Sequence, residues 1–102
     1  MWLLIDDVRD LNADAIARTP EAGKRLLGAG PWSCLCLDHD LGTPESGYDV
    51  LVWALTNDCL PRRVQLVTSN PVGRRNMAAA LEVAGYTSLD GINFKLDDTT
   101  TS

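Results

Sequence analysis

Short apolar runs, each followed at once by polar residues, divide the chain into predicted strands. The clearest runs cover residues 2–5, 32–37, 64–67 and 92–96. Continuous apolar runs of this length are typical of strands that are buried on both faces of a sheet. A weaker, alanine-rich run at residues 14–18 predicts one further strand.

Helices are predicted between these strands. Residues 19–30 and 70–85 each begin with a capping side chain followed by proline and end at glycine. Residues 48–58 carry apolar side chains at helical spacing before a proline closes the segment. The alternation of strands and helices predicts an α/β fold with a parallel sheet that helices cover on both faces.

The first two predicted strands are separated only by residues 10–13. A parallel pair normally needs a crossover of about a dozen residues. Either this segment is a shortened β-α-β connection, or the second strand is misplaced. We predict a single three-layer, flavodoxin-like domain over residues 1–96, followed by a polar tail at residues 97–102.

Composition narrows the range of functions. The chain has 102 residues and a formal net charge of −5, which suits one globular domain and excludes generic duplex DNA binding or an RNA coat. No apolar run reaches the ~18–20 residues of a membrane span, and the first residues lack a basic, secretory-type start. The chain has three cysteines, Cys34, Cys36 and Cys59, and their odd number and spacing do not match a disulfide framework. This predicts free thiols and a reducing, cytoplasmic setting.

Clusters of polar residues come at the ends of three of the predicted strands. These clusters are Asp6-Asp7, Asp38-His39-Asp40 and Thr68-Ser69-Asn70. In an open α/β sheet, ligands bind outside the carboxyl ends of the strands, so we expect the clusters to converge. Several carboxylates at one edge repel one another unless a cation neutralises them, and Mg²⁺ or Mn²⁺ is the natural partner. The sequence therefore predicts a metal site formed by Asp6, Asp7 and Asp38.

These residues also have purely structural interpretations. Aspartate after a strand often serves as a turn residue or helix cap, and Asn70 is placed to cap a helix. The same helix N-terminus suits an anion, with the amides of Ser69 and Asn70 and the side chain of Arg74 available to a phosphate. Arg9 is expected either to fold back over the site or to be an ordinary loop arginine.

The chain resembles the response-regulator receiver domain. The matching residues, in that family's order of paired acids, phosphoacceptor, hydroxyl and lysine, are Asp6-Asp7, Asp38, Thr68 and Lys95. The resemblance implies that the acids hold Mg²⁺ and that Asp38 accepts a phosphoryl group. Lys95 departs from the pattern because Leu96 follows it in place of the usual proline.

A closer resemblance is to the cyclic-phosphate-processing receiver domain, a receiver-like family known from bacteria and phages. The segments that carry it are residues 3–9, 18–22, 37–42, 47–50, Trp53 and residues 69–77. This resemblance supports a shortened first connection and implies the handling of cyclic phosphates, in cyclic nucleotides or at RNA ends. One departure is Val67-Thr68-Ser69, where the family pattern has a histidine and a serine. The missing histidine weakens any two-histidine acid/base scheme.

The expected function is Mg²⁺- or Mn²⁺-dependent recognition or hydrolysis of a cyclic phosphate, in a cyclic nucleotide or a 2′,3′-cyclic RNA end. Catalytic roles fall to Asp38, His39 and Asp40, with His39 as acid or base. The residues expected to bind the phosphate are Arg9, Thr68, Ser69, Asn70 and Arg74. Two other functions stay open. One is a receiver-type phosphoacceptor switch, and the other is a non-catalytic protein that sequesters a nucleotide signal or binds a host protein through exposed residues such as Trp53.

Overall fold

The computed structural model describes residues 1–96, and the predicted polar tail at residues 97–102 lies outside the described residues. The elements are β1 (Trp2–Ile5), β2 (Ala15–Ala17), α1 (Pro20–Gly28), β3 (Cys34–Leu37), α2 (Gly47–Thr56), β4 (Arg63–Leu66), α3 (Pro71–Val83), β5 (Tyr86–Thr87) and β6 (Asn93–Leu96). Every predicted helix and strand is present, and β5 is the element that the sequence pattern did not predict. None of the described helices is long and apolar enough to cross a membrane.

Side-chain caps explain where the helices begin. The Thr19 side chain accepts a hydrogen bond from the Ala22 amide and is followed by proline, as predicted. Asn70 caps α3 in the same way. Helix α2 begins one residue earlier than predicted because Ser46 and Asp49 form a reciprocal capping box.

The sheet has six strands in the order β2-β1-β3-β4-β6-β5. The first four of these in space are parallel, with Ile5 opposite both Ala17 and Leu37, and Leu37 opposite Leu66. The α/β, receiver-like fold class is therefore confirmed. The parallel pairing of β1 with β2 also confirms the second strand and its shortened connection through residues 6–14.

The last two strands depart from the predicted parallel arrangement. Strand β6 runs antiparallel to β4 and lies between β4 and β5. Asp90 reverses the chain before β6, because its carboxylate accepts the amide hydrogens of Ile92 and Asn93. Lys95 consequently lies opposite Arg63 at the start of β4, at the other end of the sheet from the carboxyl ends of the parallel strands. The expected match of Lys95 to the receiver lysine is wrong.

All three described helices pack on one face of the sheet. The core on that face joins strand residues such as Leu3, Leu35 and Leu66 to the helix residues Leu27, Leu51 and Met77. The other face carries Leu4, Cys34 and Cys36, which Ala13, Ile16 and Val67 help to cover. Within residues 1–96 the expected third layer is thus a loop and side chains. A helix in the connection between β1 and β2 would cover this face of the sheet. That connection is too short to contain one.

Two neighbouring residues of α2 test the assignment of the core. Leu51 is fully buried, and Val52 is 40% exposed. We expect Leu51→Ala to lower the free energy of unfolding by about 2–5 kcal/mol, because it removes buried methyl groups and leaves a cavity. Val52→Ala is the matched control and should change stability by no more than about 0.5 kcal/mol. Urea unfolding followed by circular dichroism measures both, and equal effects would contradict this packing.

A carboxylate cluster and a neighbouring histidine

Asp6, Asp7 and Asp38 converge at the carboxyl ends of β1 and β3. One carboxylate oxygen from each lies within 4.8 Å of the others. The convergence follows from the register, because Ile5 pairs with Leu37 and the next residue of each strand is an aspartate. Asp6 and Asp38 are buried, whereas Asp7 is exposed. The three acids therefore converge as predicted, and their hard oxygen donors are of the type that Mg²⁺ or Mn²⁺ prefers.

Arg9 folds back over this cluster. Its Nη1 atom lies 2.8 Å from Asp6 Oδ2 and 3.5 Å from Asp38 Oδ2. The main-chain amides of Val8 and Arg9 donate to the other oxygen of Asp6, at 3.0 and 3.2 Å. The loop arginine is therefore part of the site, where it acts as the counter-ion of two buried acids.

The two buried acids have pKa values shifted in opposite directions. Burial acts to raise the pKa of Asp6, but the hydrogen bonds from the Arg9 side chain and from the Val8 and Arg9 amides lower it overall. Burial raises the pKa of Asp38, and the nearby charge of Asp6 raises it further, against the hydrogen bond from Thr68. Asp6 is thus held ionised, and Asp38 takes up a proton more readily.

Glycines on two helices fix the segment that carries Asp38 and His39. The Gly47 amide donates to the His39 carbonyl at 2.7 Å, and a Cβ atom on Gly47 would clash with the Asp38 carbonyl. A Cβ atom on Gly73 would clash with the His39 ring. The first turns of α2 and α3 therefore approach this segment more closely than any other residue type allows at the two positions. Sequence analysis did not assign these roles, because both contacts are tertiary.

His39 and Asp40 form a second cluster beside the carboxylates. His39 Nδ1 lies 3.0 Å from Asp40 Oδ1, and the Asn70 side-chain amide donates to the Asp40 carboxylate at 3.3 Å. The hydrogen bond with His39 lowers the pKa of Asp40. A carboxylate at Nδ1 fixes the ring orientation and leaves Nε2 for proton transfer. The chain bends at His39, just after β3. A fully extended chain would instead point the His39 and Asp40 side chains to opposite sides.

The beginning of α3 is largely committed to internal hydrogen bonds. The Thr68 hydroxyl contacts Asp38 and also accepts the Asn70 amide hydrogen at 3.0 Å. The amides of Val72 and Gly73 both donate to Asn70 Oδ1 at 3.1 Å. The Asn70 amide, which we expected to bind phosphate, is therefore already used, and Asn70 acts as a helix cap and a support for Asp40. Ser69 is exposed and Arg74 is half-buried, so neither side chain is enclosed in the core.

Arg18 supports the site, a role that was not predicted from the sequence. Its Nη1 atom donates to the main-chain carbonyls of Asp6 and Arg9, at 3.3 and 2.6 Å. These bonds tie the end of β2 to the loop that carries Arg9. The sequence did offer a signal, because Arg18 ends the predicted strand at residues 14–18 and begins residues 18–22, one of the segments that carry the family resemblance.

The fold and this carboxylate cluster define a receiver-like domain, with acids after β1 and β3 and a hydroxyl after β4. The family described as cyclic-phosphate processing Receiver domain matches residues 1–83. The chain belongs to this family, as its motifs predicted. No match to a curated protein or to a solved structure was found.

The opposite pKa shifts predict opposite effects of two substitutions at pH 7 in the presence of a chelator. Asp6→Asn should destabilise the protein by ~1–3 kcal/mol, because it removes the charge that Arg9 and two amides stabilise. Asp38→Asn should leave stability unchanged or raise it, because it removes a buried, repelled carboxylate. Urea unfolding of both variants measures the difference.

The pH dependence follows with the same signs. The folded-state pKa of Asp6 is lowered, so its contribution to stability is present above its unfolded pKa and is lost as the pH falls through the folded value. The folded-state pKa of Asp38 is raised, so ionisation of Asp38 reduces stability as the pH rises from its unfolded to its folded value. Equal losses of stability in Asp6→Asn and Asp38→Asn would contradict the opposite pKa shifts of the two acids.

Gly73→Ala should displace the His39 ring and cost ~1–3 kcal/mol of stability, because the added methyl group overlaps the imidazole. His39 is the only histidine in the chain, so its imidazole proton signals can be followed by NMR without assignment. The matched control is Gly28→Ala, where an added Cβ meets nothing within 4 Å. If the imidazole signals respond equally to both substitutions, the proposed contact with α3 is wrong.

Proposed function

We propose that this domain binds and hydrolyses a cyclic phosphate in a nucleotide or at an RNA end, with Mg²⁺ or Mn²⁺ as cofactor. The observation that carries the proposal is the carboxylate cluster of Asp6, Asp7 and Asp38 joined to the His39–Asp40 pair, since the His39 amide donates to Asp38. Membership of a family named for cyclic-phosphate processing supports the substrate class.

Asp6, Asp7 and Asp38 would hold the cation. When bound, the cation supplies positive charge to the phosphate oxygens and favours ionisation of water. The exposed carboxylate of Asp7 faces solvent, so the cluster is accessible from the carboxyl end of the sheet. Arg74 and the main chain at Ser69 would bind the remaining phosphate oxygens.

His39 supplies the proton transfer. In hydrolysis of a cyclic diester, a water oxygen attacks phosphorus, one P–O ester bond breaks, and the departing oxygen takes a proton. The His39 imidazole gives that proton or accepts the one lost by water. Asp40 acts as a positioning residue through Nδ1, and Asn70 in turn holds Asp40. The product is a phosphomonoester in which the departing oxygen has become a hydroxyl group.

The structure supports the two other functions less well. A phosphoacceptor switch is favoured by the Thr68 hydroxyl at Asp38, but Lys95 lies at the far end of the sheet and is not available to the phosphoryl group. A protein-binding role was expected to use an exposed Trp53. That residue instead packs against the core, with the Lys24 ammonium 5.9 Å from its ring centroid.

Substitution of His39 tests the hydrolysis. With Mg²⁺ or Mn²⁺ present, we expect His39→Ala to reduce turnover of a 2′,3′- or 3′,5′-cyclic nucleotide by ~10²–10⁴-fold, because the general acid or base is lost. The Mn²⁺-induced rise in melting temperature should persist, since the carboxylates remain. Lys95→Ala is the control and should leave both turnover and the Mn²⁺ effect unchanged.

Separate outcomes test the metal and the chemistry. Mn²⁺ should raise the melting temperature of the wild type and do so less in Asp38→Asn, because one ligand is lost. A melting temperature independent of divalent cations in both proteins removes the metal from the proposal. If the wild type turns over no cyclic phosphate with any divalent cation, the hydrolysis proposal fails and the binding-protein function replaces it.

A further inference from the structure

Arg9 occupies the place that a cation would take. Its Nη1 atom lies between Asp6 Oδ2 and Asp38 Oδ2, at 2.8 and 3.5 Å. A Mg²⁺ or Mn²⁺ ion that bound the same two oxygens would sit about 2.0–2.2 Å from each. The ion and Nη1 would then overlap in space and repel each other in charge. Arg9 and a divalent cation therefore exclude each other at this pair of oxygens.

The Arg9 side chain can leave without unfolding the loop. Its main-chain amide donates to Asp6 Oδ1, and its carbonyl accepts from Arg18 at 2.6 Å. These bonds do not involve the guanidinium group. The side chain is about one-third exposed, so the surrounding protein does not enclose it. Rotation about side-chain bonds moves the guanidinium out while the Cα atom stays beside the cluster.

A displaced guanidinium would remain at the mouth of the site. Three carboxylates together with one divalent cation keep a net charge of −1, which by itself disfavours an anionic ligand. The positive charge of Arg9 brings this local sum to zero. A planar guanidinium also offers paired donors that match the oxygens of a phosphate.

We propose that Arg9 is an exchangeable counter-ion: a divalent cation displaces it from Asp6 and Asp38, and the released guanidinium binds the phosphate. This inference rests on the proposed metal and phosphate site and adds its order of events. Metal and phosphate bind with positive coupling, because the first ligand frees the group that holds the second. Without metal, Arg9 keeps two buried acids compensated and is not available to phosphate.

Titration calorimetry with Mn²⁺ alone, and with inorganic phosphate added to the Mn²⁺-loaded protein, tests the exchange. Arg9→Ala should bind Mn²⁺ about tenfold more tightly and phosphate about tenfold more weakly than the wild type. The matched control is Arg25→Ala, which removes the same charge from an exposed position in the last turn of α1. Arg25→Ala should match the wild type for both ligands.

Opposite shifts for the two ligands are the signature of exchange, since a merely structural role would weaken both. Weaker or unchanged Mn²⁺ binding by Arg9→Ala overturns the inference. Arg9→Gln, which keeps a donor for Asp6, provides the same comparison if Arg9→Ala does not fold. If Arg9→Ala shifts the Mn²⁺ and phosphate affinities in opposite directions and the wild type turns over no cyclic phosphate, the exchange is supported and the hydrolysis proposal is refuted. If the wild type turns over a cyclic phosphate but Arg9→Ala does not show these affinity changes, the hydrolysis proposal is supported and the exchange is refuted.

Discussion

The parallel pairing of β1 with β3 sets two buried carboxylates side by side, and the rest of the site compensates for their charge. The register that places Ile5 opposite Leu37 leaves Asp6 and Asp38 as neighbours at the sheet edge. Their mutual repulsion and loss of hydration oppose folding unless partners are supplied. Arg9, two main-chain amides and the Thr68 hydroxyl are those partners. The loop after β1 therefore has its shape because one carboxylate must be satisfied.

The same compensation links the sheet to the helices. Helix α3 begins at Asn70, whose side chain caps the helix and also holds Asp40, which in turn holds His39. The His39 ring fits against α3 because position 73 is glycine. A cap that stabilises the helix thus also fixes the orientation of the imidazole. Local helix formation and placement of the His39 ring are therefore linked in this structure.

Much of this arrangement was predictable from sequence, and the part that was not has a physical reason. The strand ends, the helix starts and the convergence of Asp6, Asp7 and Asp38 follow from local patterns and from the rule that parallel strands end at one edge. The direction of β6 depends on the turn at Asp90 and on pairing between short strands, which carries little sequence signal. The contacts of Arg18 and Gly73 join residues brought together only by the fold. The single helical layer was also not predicted, because crossovers are right-handed and the face that each helix covers therefore depends on the strand order, which the alternation of elements does not reveal.

The two buried acids at this edge of the sheet have opposite effects on stability. Hydrogen bonds from Arg9 and the loop amides lower the pKa of Asp6, so its ionised form is favoured. Asp38 is buried beside Asp6, and both burial and the charge of Asp6 raise its pKa, so the ionised form of Asp38 is disfavoured. A proton, a guanidinium group or a divalent cation can each offset the charge of Asp38 at the same place. The carboxylate that costs the fold most is consequently the one at which a ligand has most to gain, and Asp38 leads directly through the main chain to His39.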